Sequence, residues 1–177
     1  MMKGGLRVHT CPKVASSSIS GALSKLGCKH AFPDEYGHGW RFMAVRHPLD
    51  RIVSAFAFFT RDKERIQGQR DMVALGYYYG MPWGEFFRLV MDKHAENPHT
   101  QMQTDFAGPI MIDQPVRLAG LAAAWDGLRE RFPFLHPMLH YNRSDRGDWG
   151  GYYDKGQRAE AERVFAGDMA LYEGATG

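Results

Sequence analysis

Three short stretches of this chain carry residue types suited to holding an anion or moving a proton. Pro12-Lys13-Val14-Ala15-Ser16-Ser17-Ser18 places one lysine and three hydroxyls between a strand-like run, Leu6 to Cys11, and a helical one. A loop in that position presents unpaired N–H groups, and the helix dipole favours negative charge there. Lys13 adds a full positive charge, and Ser16, Ser17 and Ser18 add donors small enough for a phosphate to approach. The stretch equally fits an ordinary N-cap beside a solvated lysine. In Val45 to Phe56, Arg46 sits at a strand end and Ser54 lies one to two turns into the next helix. The two are suited to one anion, the guanidinium by a forked contact and the serine by its hydroxyl. Taken alone, an arginine paired with Asp50 and a solvated serine is the favoured reading. His99-Thr100-Gln101-Met102-Gln103 supplies an imidazole, a group that exchanges a proton near neutral pH.

The elements that must position these residues follow from periodicity. Ile19, Ala22, Leu23 and Leu26 fall at i, i+3, i+4 and i+7, a helix with a serine-rich start and Gly27 as its stop. Arg41 to Val45 reads as a buried strand, and His47-Pro48 turns it into a helix marked by Leu49, Ile52, Val53 and Phe56. A further helix opens at Pro82 and carries Trp83, Phe86, Phe87, Val90 and Met91. Another carries Leu121, Ala124, Trp125 and Leu128, with Pro115 to Leu118 as a strand before it. The last helix is expected from about Lys155 to Tyr172, with Phe165, Met169 and Tyr172 inward. Helices alternating with short apolar runs predict an α/β fold with a mainly parallel sheet. Residues 1–177 are expected to form one domain, with about 60–110 as a helical insertion. Glycines at 147, 150 and 151 form a loop before the last helix.

Bulk properties narrow the function classes. A formal net charge of +2 over 177 residues is too mild for a nucleic-acid-binding face. Two cysteines, Cys11 and Cys28, have neither metal-type spacing nor the density of a disulfide framework, which favours a reducing compartment. No stretch approaches the ~18 apolar residues of a membrane span. No apolar leader is read after Met1, and a cytoplasmic location is expected. The lysine loop is not a Walker A motif: Lys13 precedes the turn and no glycine lies between it and Gly21. No His, Cys and Asp cluster suggests a metal.

Together, the first two segments resemble the sulfotransferases that use 3′-phosphoadenosine 5′-phosphosulfate (PAPS), nearest to the chondroitin, dermatan and HNK-1 type of carbohydrate sulfotransferase. Pro12 to Ser17 resembles their 5′-phosphosulfate loop, PKVxCT or PKxGGT. Val45-Arg46-His47-Pro48-Leu49-Asp50-Arg51-Ile52-Val53-Ser54-Ala55-Phe56 resembles their 3′-phosphate segment, VRxPxxRLxSAF. His99 to Gln103 resembles an H-x-x-P-Q stretch, with Met102 in place of proline, and Asn142-Arg143-Ser144 resembles a segment ending N-x-S. Tyr152-Tyr153-Asp154 and the last helix, with Asp168, resemble the usual close of the family. The resemblance implies a P-loop-kinase-like three-layer sandwich with a mainly parallel central sheet. It implies that Lys13, with Ala15, Ser16, Ser17 and Ser18, binds the 5′-phosphosulfate, and that Arg46 and Ser54 bind the 3′-phosphate. Two departures bear on affinity: Ala15-Ser16 stands where many members have glycines, and His47 where Asp or Asn is common.

The implied reaction moves a sulfuryl group to a hydroxyl acceptor, a carbohydrate by likeness, and leaves 3′,5′-ADP without any metal. It needs a cation at the leaving oxygen, which Lys13 provides, and a base for the acceptor hydroxyl. His99 is the first candidate for that base, with Glu64, Asp62, Glu96 and His94 as rivals, while His9 and His47 read as supports behind the site or as structural. Tyr77, Tyr78 and Tyr79 follow no helical stripe and leave an acceptor role open, the insertion then forming the acceptor side. Arg143, Arg146, Trp149 and Tyr152 read as a solvated loop, with closure over a nucleotide as the alternative. An atypical nucleotide-dependent kinase and a non-catalytic nucleotide-binding protein are the competing functions. Nothing in the sequence bears on oligomeric state.

Overall fold

The computed structural model describes residues 5–24, 39–108, 111–138 and 147–177. Gly27, Cys28 and the Asn142 to Ser144 segment, with Arg146, lie outside them. The described elements run β1 (Leu6–His9), α1 (Ser16–Ser24), β2 (Trp40–Val45), α2 (Pro48–Thr60), α3 (Lys63–Gln67), α4 (Arg70–Ala74), α5 (Trp83–Lys93) and α6 (Gln103–Ala107). They continue with β3 (Gln114–Arg117), α7 (Leu121–Arg131), α8 (Lys155–Val164) and α9 (Ala166–Glu173). The fold is mixed α/β, with a three-stranded sheet in the order β1-β2-β3. Both pairings are parallel, with His9 opposite Met43 and Val45 opposite Arg117.

The chain divides into two compact units. The first holds the sheet and comprises the described residues of 1–46, 106–143 and 171–177. Its central strand is apolar without alternation because both faces are covered: Phe42 and Val45 are 0% exposed though they point to opposite sides. Ile19 and Ala22 of α1 and Leu121, Trp125 and Leu128 of α7 share one core with Phe42 to Val45. Trp125 meets the Phe42 ring edge-on and donates its indole N–H to the His136 carbonyl at 3.0 Å. The outer edge of β3 is occupied by Thr176, which donates to the Pro115 carbonyl and accepts from Arg117 N–H. Pro115 has no N–H of its own, which suits this edge position.

The second unit is helical and comprises 47–105 and the described residues of 144–170. Pro48 fills the first turn of α2, where its missing N–H costs nothing. This helix is buried on most of its circumference, Arg51 and Ser54 included. Ile52, Ala55 and Phe59 pack with Phe86 and Val90 of α5 and with Tyr77 and Phe165. Leu49 packs with Phe87 and Ala161. The single last helix expected from Lys155 to Tyr172 is instead two, broken at Phe165. Phe165 is 1% exposed and leaves the helical region at φ −97, ψ 28. The next helix accordingly buries Asp168 fully, while Met169 is only half-buried.

Candidate active site

In the sheet unit, the lysine loop follows β1 and is pinned by its apolar members. Cys11 and Val14 are 1% and 0% exposed. Around Val14 the backbone curls into the left-handed region at Lys13 (φ 69) and Ala15 (φ 51), while Val14 itself stays outside it. Left-handed residues in a turn are the kind of backbone from which anion-binding concavities are built. Neither residue is glycine, so each costs about 1–2 kcal/mol relative to ordinary backbone. Such strain clusters at ligand clamps. The glycine-poor loop therefore attains the curvature that glycines would allow without cost.

The loop leads directly into α1. Ile19 N–H donates to the Ala15 carbonyl at 3.0 Å, which joins the loop to the first turn of the helix. Ser17 is exposed, Ser16 half-buried and Ser18 5% exposed. Lys13 and Arg46 are both half-buried. Arg46, just past the end of β2, donates from Nη1 to the Lys13 carbonyl at 2.9 Å. One guanidinium thus braces the turn and brings a second positive charge to it. His9 contacts the Phe106 carbonyl through Nδ1 at 3.2 Å, in keeping with a structural role.

The helical unit holds the remaining candidates. Ser54 lies on α2 and is 4% exposed, which overturns the solvated-serine alternative. His99 lies in a turn after α5, with its backbone N–H on Asn97 Oδ1 at 2.9 Å. Its imidazole stacks on Phe58 at 5.0 Å and meets Phe59 edge-on at 5.0 Å. The rivals Asp62, Glu64, His94 and Glu96 belong to this unit too. Glu64 and Glu96 are exposed, and His94 sets its ring edge-on to Phe165. His47 stacks on Trp149 at 4.5 Å, and Tyr152 meets Phe56 and Trp83 edge-on while its hydroxyl accepts from Arg61. Trp149 and Tyr152 are thus held by ring contacts and half-buried, while Gly147, Asp148, Gly150 and Gly151 of the same loop are exposed.

The three tyrosines part company. Tyr77 is core at 1% exposure, whereas Tyr78 and Tyr79 are 44% and 52% exposed. Burial raises the Tyr77 hydroxyl above its ordinary value of 10.0, against the opposing pull of Asn97 and Thr100. Tyr78 is also raised, because its hydroxyl bonds the Glu85 carboxylate.

Two residues that lie within the family-like segments but were given no role there organise the His99 turn. Arg51 is 2% exposed and donates to the carbonyls of Gln101 at 2.5 Å and Pro98 at 3.1 Å. Asp168 is 0% exposed and accepts from the N–H groups of Gln103 at 2.8 Å and Thr104 at 3.0 Å. Their signal in the sequence was charge set directly beside apolar stripe positions: Arg51 before Ile52, Asp168 before Met169.

A parallel strand leads into a lysine loop with two left-handed residues, and a second strand ends in an arginine bonded to that loop. The sulfotransferase family model matches residues 6–109, more than half of the chain. The chain belongs to the sulfotransferase family. The matched span of this sulfotransferase contains the lysine loop, the Arg46 to Ser54 segment and the His99 turn. Searches of curated proteins and of solved structures found no match. Among the described residues, no group of three or more His, Cys, Asp and Glu is placed to hold a metal ion. No helix among them is long and apolar enough to cross a membrane.

Proposed function

We propose that this sulfotransferase takes its sulfuryl group from PAPS and delivers it to a carbohydrate hydroxyl. The observation that carries the reading is Arg46 bonded to the carbonyl of Lys13 beside two left-handed loop residues. That arrangement sets a guanidinium beside the lysine loop, which supports a second phosphate position apart from the 5′ one, as a 3′-phosphate on the ribose requires and ATP does not. Backbone N–H groups of residues 13–18, with the Ser16, Ser17 and Ser18 hydroxyls, hold the 5′-phosphosulfate. Arg46 and the Ser54 hydroxyl hold the 3′-phosphate.

Transfer is in-line. The bond from sulfur to the bridging phosphate oxygen breaks as the bond from sulfur to the acceptor oxygen forms. Lys13 stabilises the charge developing on the leaving oxygen. His99 takes the proton from the acceptor hydroxyl. The products are a sulfate ester and 3′,5′-ADP. Residues 1–177 serve this one reaction, with the helices of about 60–110 as the acceptor side. The exposed rings of Tyr78 and Tyr79 support a sugar acceptor, because an aromatic face covers the apolar side of a pyranose.

Thermal-shift measurements with 3′,5′-ADP, ATP and AMP, without metal, test the donor. At 100 times Kd a ligand stabilises by about 2.7 kcal/mol. For a domain of this size that raises Tm by about 5–10 °C. 3′,5′-ADP is expected to give the largest shift, and equal shifts for all three ligands exclude a 3′-phosphate site. Replacing Lys13 by Ala should lower kcat by roughly 100-fold or more. An unchanged rate in that variant removes Lys13 from the chemistry.

A further inference from the structure

We infer that Arg51 and Asp168 are positioning residues that clamp the His99 turn from its two ends and set the direction of the imidazole. The turn's polar backbone is held by two buried charges of opposite sign. Arg51 takes the carbonyls of Pro98 and Gln101, which bracket His99. Asp168 takes the N–H groups of Gln103 and Thr104 and also contacts the Thr104 hydroxyl. Between them, Asn97 closes the turn: its side chain accepts from His99 N–H, and its carbonyl accepts from Thr100 and Gln101 N–H.

Each buried charge needs compensation, and polar backbone groups supply it here. Removing either charge therefore leaves backbone groups of the turn unsatisfied, and the turn must move to find other partners. A planar guanidinium spans two carbonyls in a fixed geometry, which a single ammonium cannot do. The clamp's consequence for rate rests on the proposed role of His99 as base. Its consequence for the ring does not.

The test compares the full chain with Arg51→Gln, Arg51→Lys and Asp168→Asn, with imidazole NMR signals and amide exchange as readouts. Stacking on Phe58 gives the His99 ring protons a ring-current shift that reports its orientation. The clamp predicts that this shift is lost in Arg51→Gln and Asp168→Asn and partly kept in Arg51→Lys. Amides 99–104 should exchange at least ~10-fold faster in the two disruptive variants. His9 and His136 signals, in the sheet unit, should stay in place. A His99 signal unmoved in both variants overturns the clamp, and so do all histidine signals moving together, which marks general loosening.

A kinetic arm separates this proposal from the base assignment. Arg51→Lys should lower kcat about 10-fold to 100-fold with the PAPS KM little changed. It should add nothing in a His99→Ala background. An equal loss in both backgrounds overturns positioning through His99. A His99→Ala variant with full kcat refutes the base assignment alone, and the ring signal still decides the clamp.

Discussion

Ala15 holds φ 51 beside Lys13 at φ 69, in a conformation that L-residues with a Cβ adopt at a cost. The proposed phosphate loop is set by backbone shape as much as by side-chain chemistry. Glycine at position 15 relieves the strain and gives up some chain entropy in return, so Ala15→Gly is expected to stabilise the protein by about 1 kcal/mol. Urea unfolding checks this: the midpoint should rise at constant m. A fall in stability would mean that residue 15 is not left-handed. Lys13 cannot be relieved in the same way, because glycine there also removes the cation.

At the scale of elements, helix starts carry much of the local specification. The α8 terminus is closed by a reciprocal box. The Asp154 carboxylate accepts from Gln157 N–H at 2.8 Å, and Gln157 Oε1 accepts from Asp154 N–H at 3.2 Å. The same Gln157 oxygen also accepts from the Trp83 indole at 3.1 Å, which ties the cap to α5. Asp154→Ala is expected to cost about 1 kcal/mol, measured by denaturant unfolding. A loss below ~0.3 kcal/mol would show that the Trp83 contact, not the cap, orders this terminus. The neighbouring Tyr153 hydroxyl donates to the Leu49 carbonyl at 2.8 Å, so the same corner also touches α2.

For the whole molecule, Tyr77 contributes to the loss of stability at alkaline pH. Its hydroxyl is raised by burial, so the folded state favours the neutral form. That contribution is fully present below the unfolded value near 10 and is lost as pH rises through the higher folded value. Tyr77→Phe should therefore flatten the fall in Tm above about pH 10 relative to wild type. Parallel profiles for the two proteins would place the alkaline limit elsewhere. The sheet unit is assembled from three separate stretches of chain, so its parallel pairings close large loops before they gain any contacts. Folding is accordingly expected to be slow for this size.

Period and punctuation marked α1, α2, α5 and α7, but not α6 or the break between α8 and α9. Pro48, Pro82 and the apolar stripes of α1, α2, α5 and α7 mark local preferences that the tertiary environment did not override. The two segments proposed to bind the anion were legible for the same reason: a strand end and a helix start lie next to each other in sequence. What only tertiary structure decided was which buried positions are polar. Arg51 and Asp168 are separated by more than a hundred residues, and nothing local says that both close on the turn around His99. Likewise Tyr77 and Tyr78 are adjacent and alike, yet one is core and the other surface. Burial depends on which partner fills the facing space, and short-range spacing carries no record of that partner.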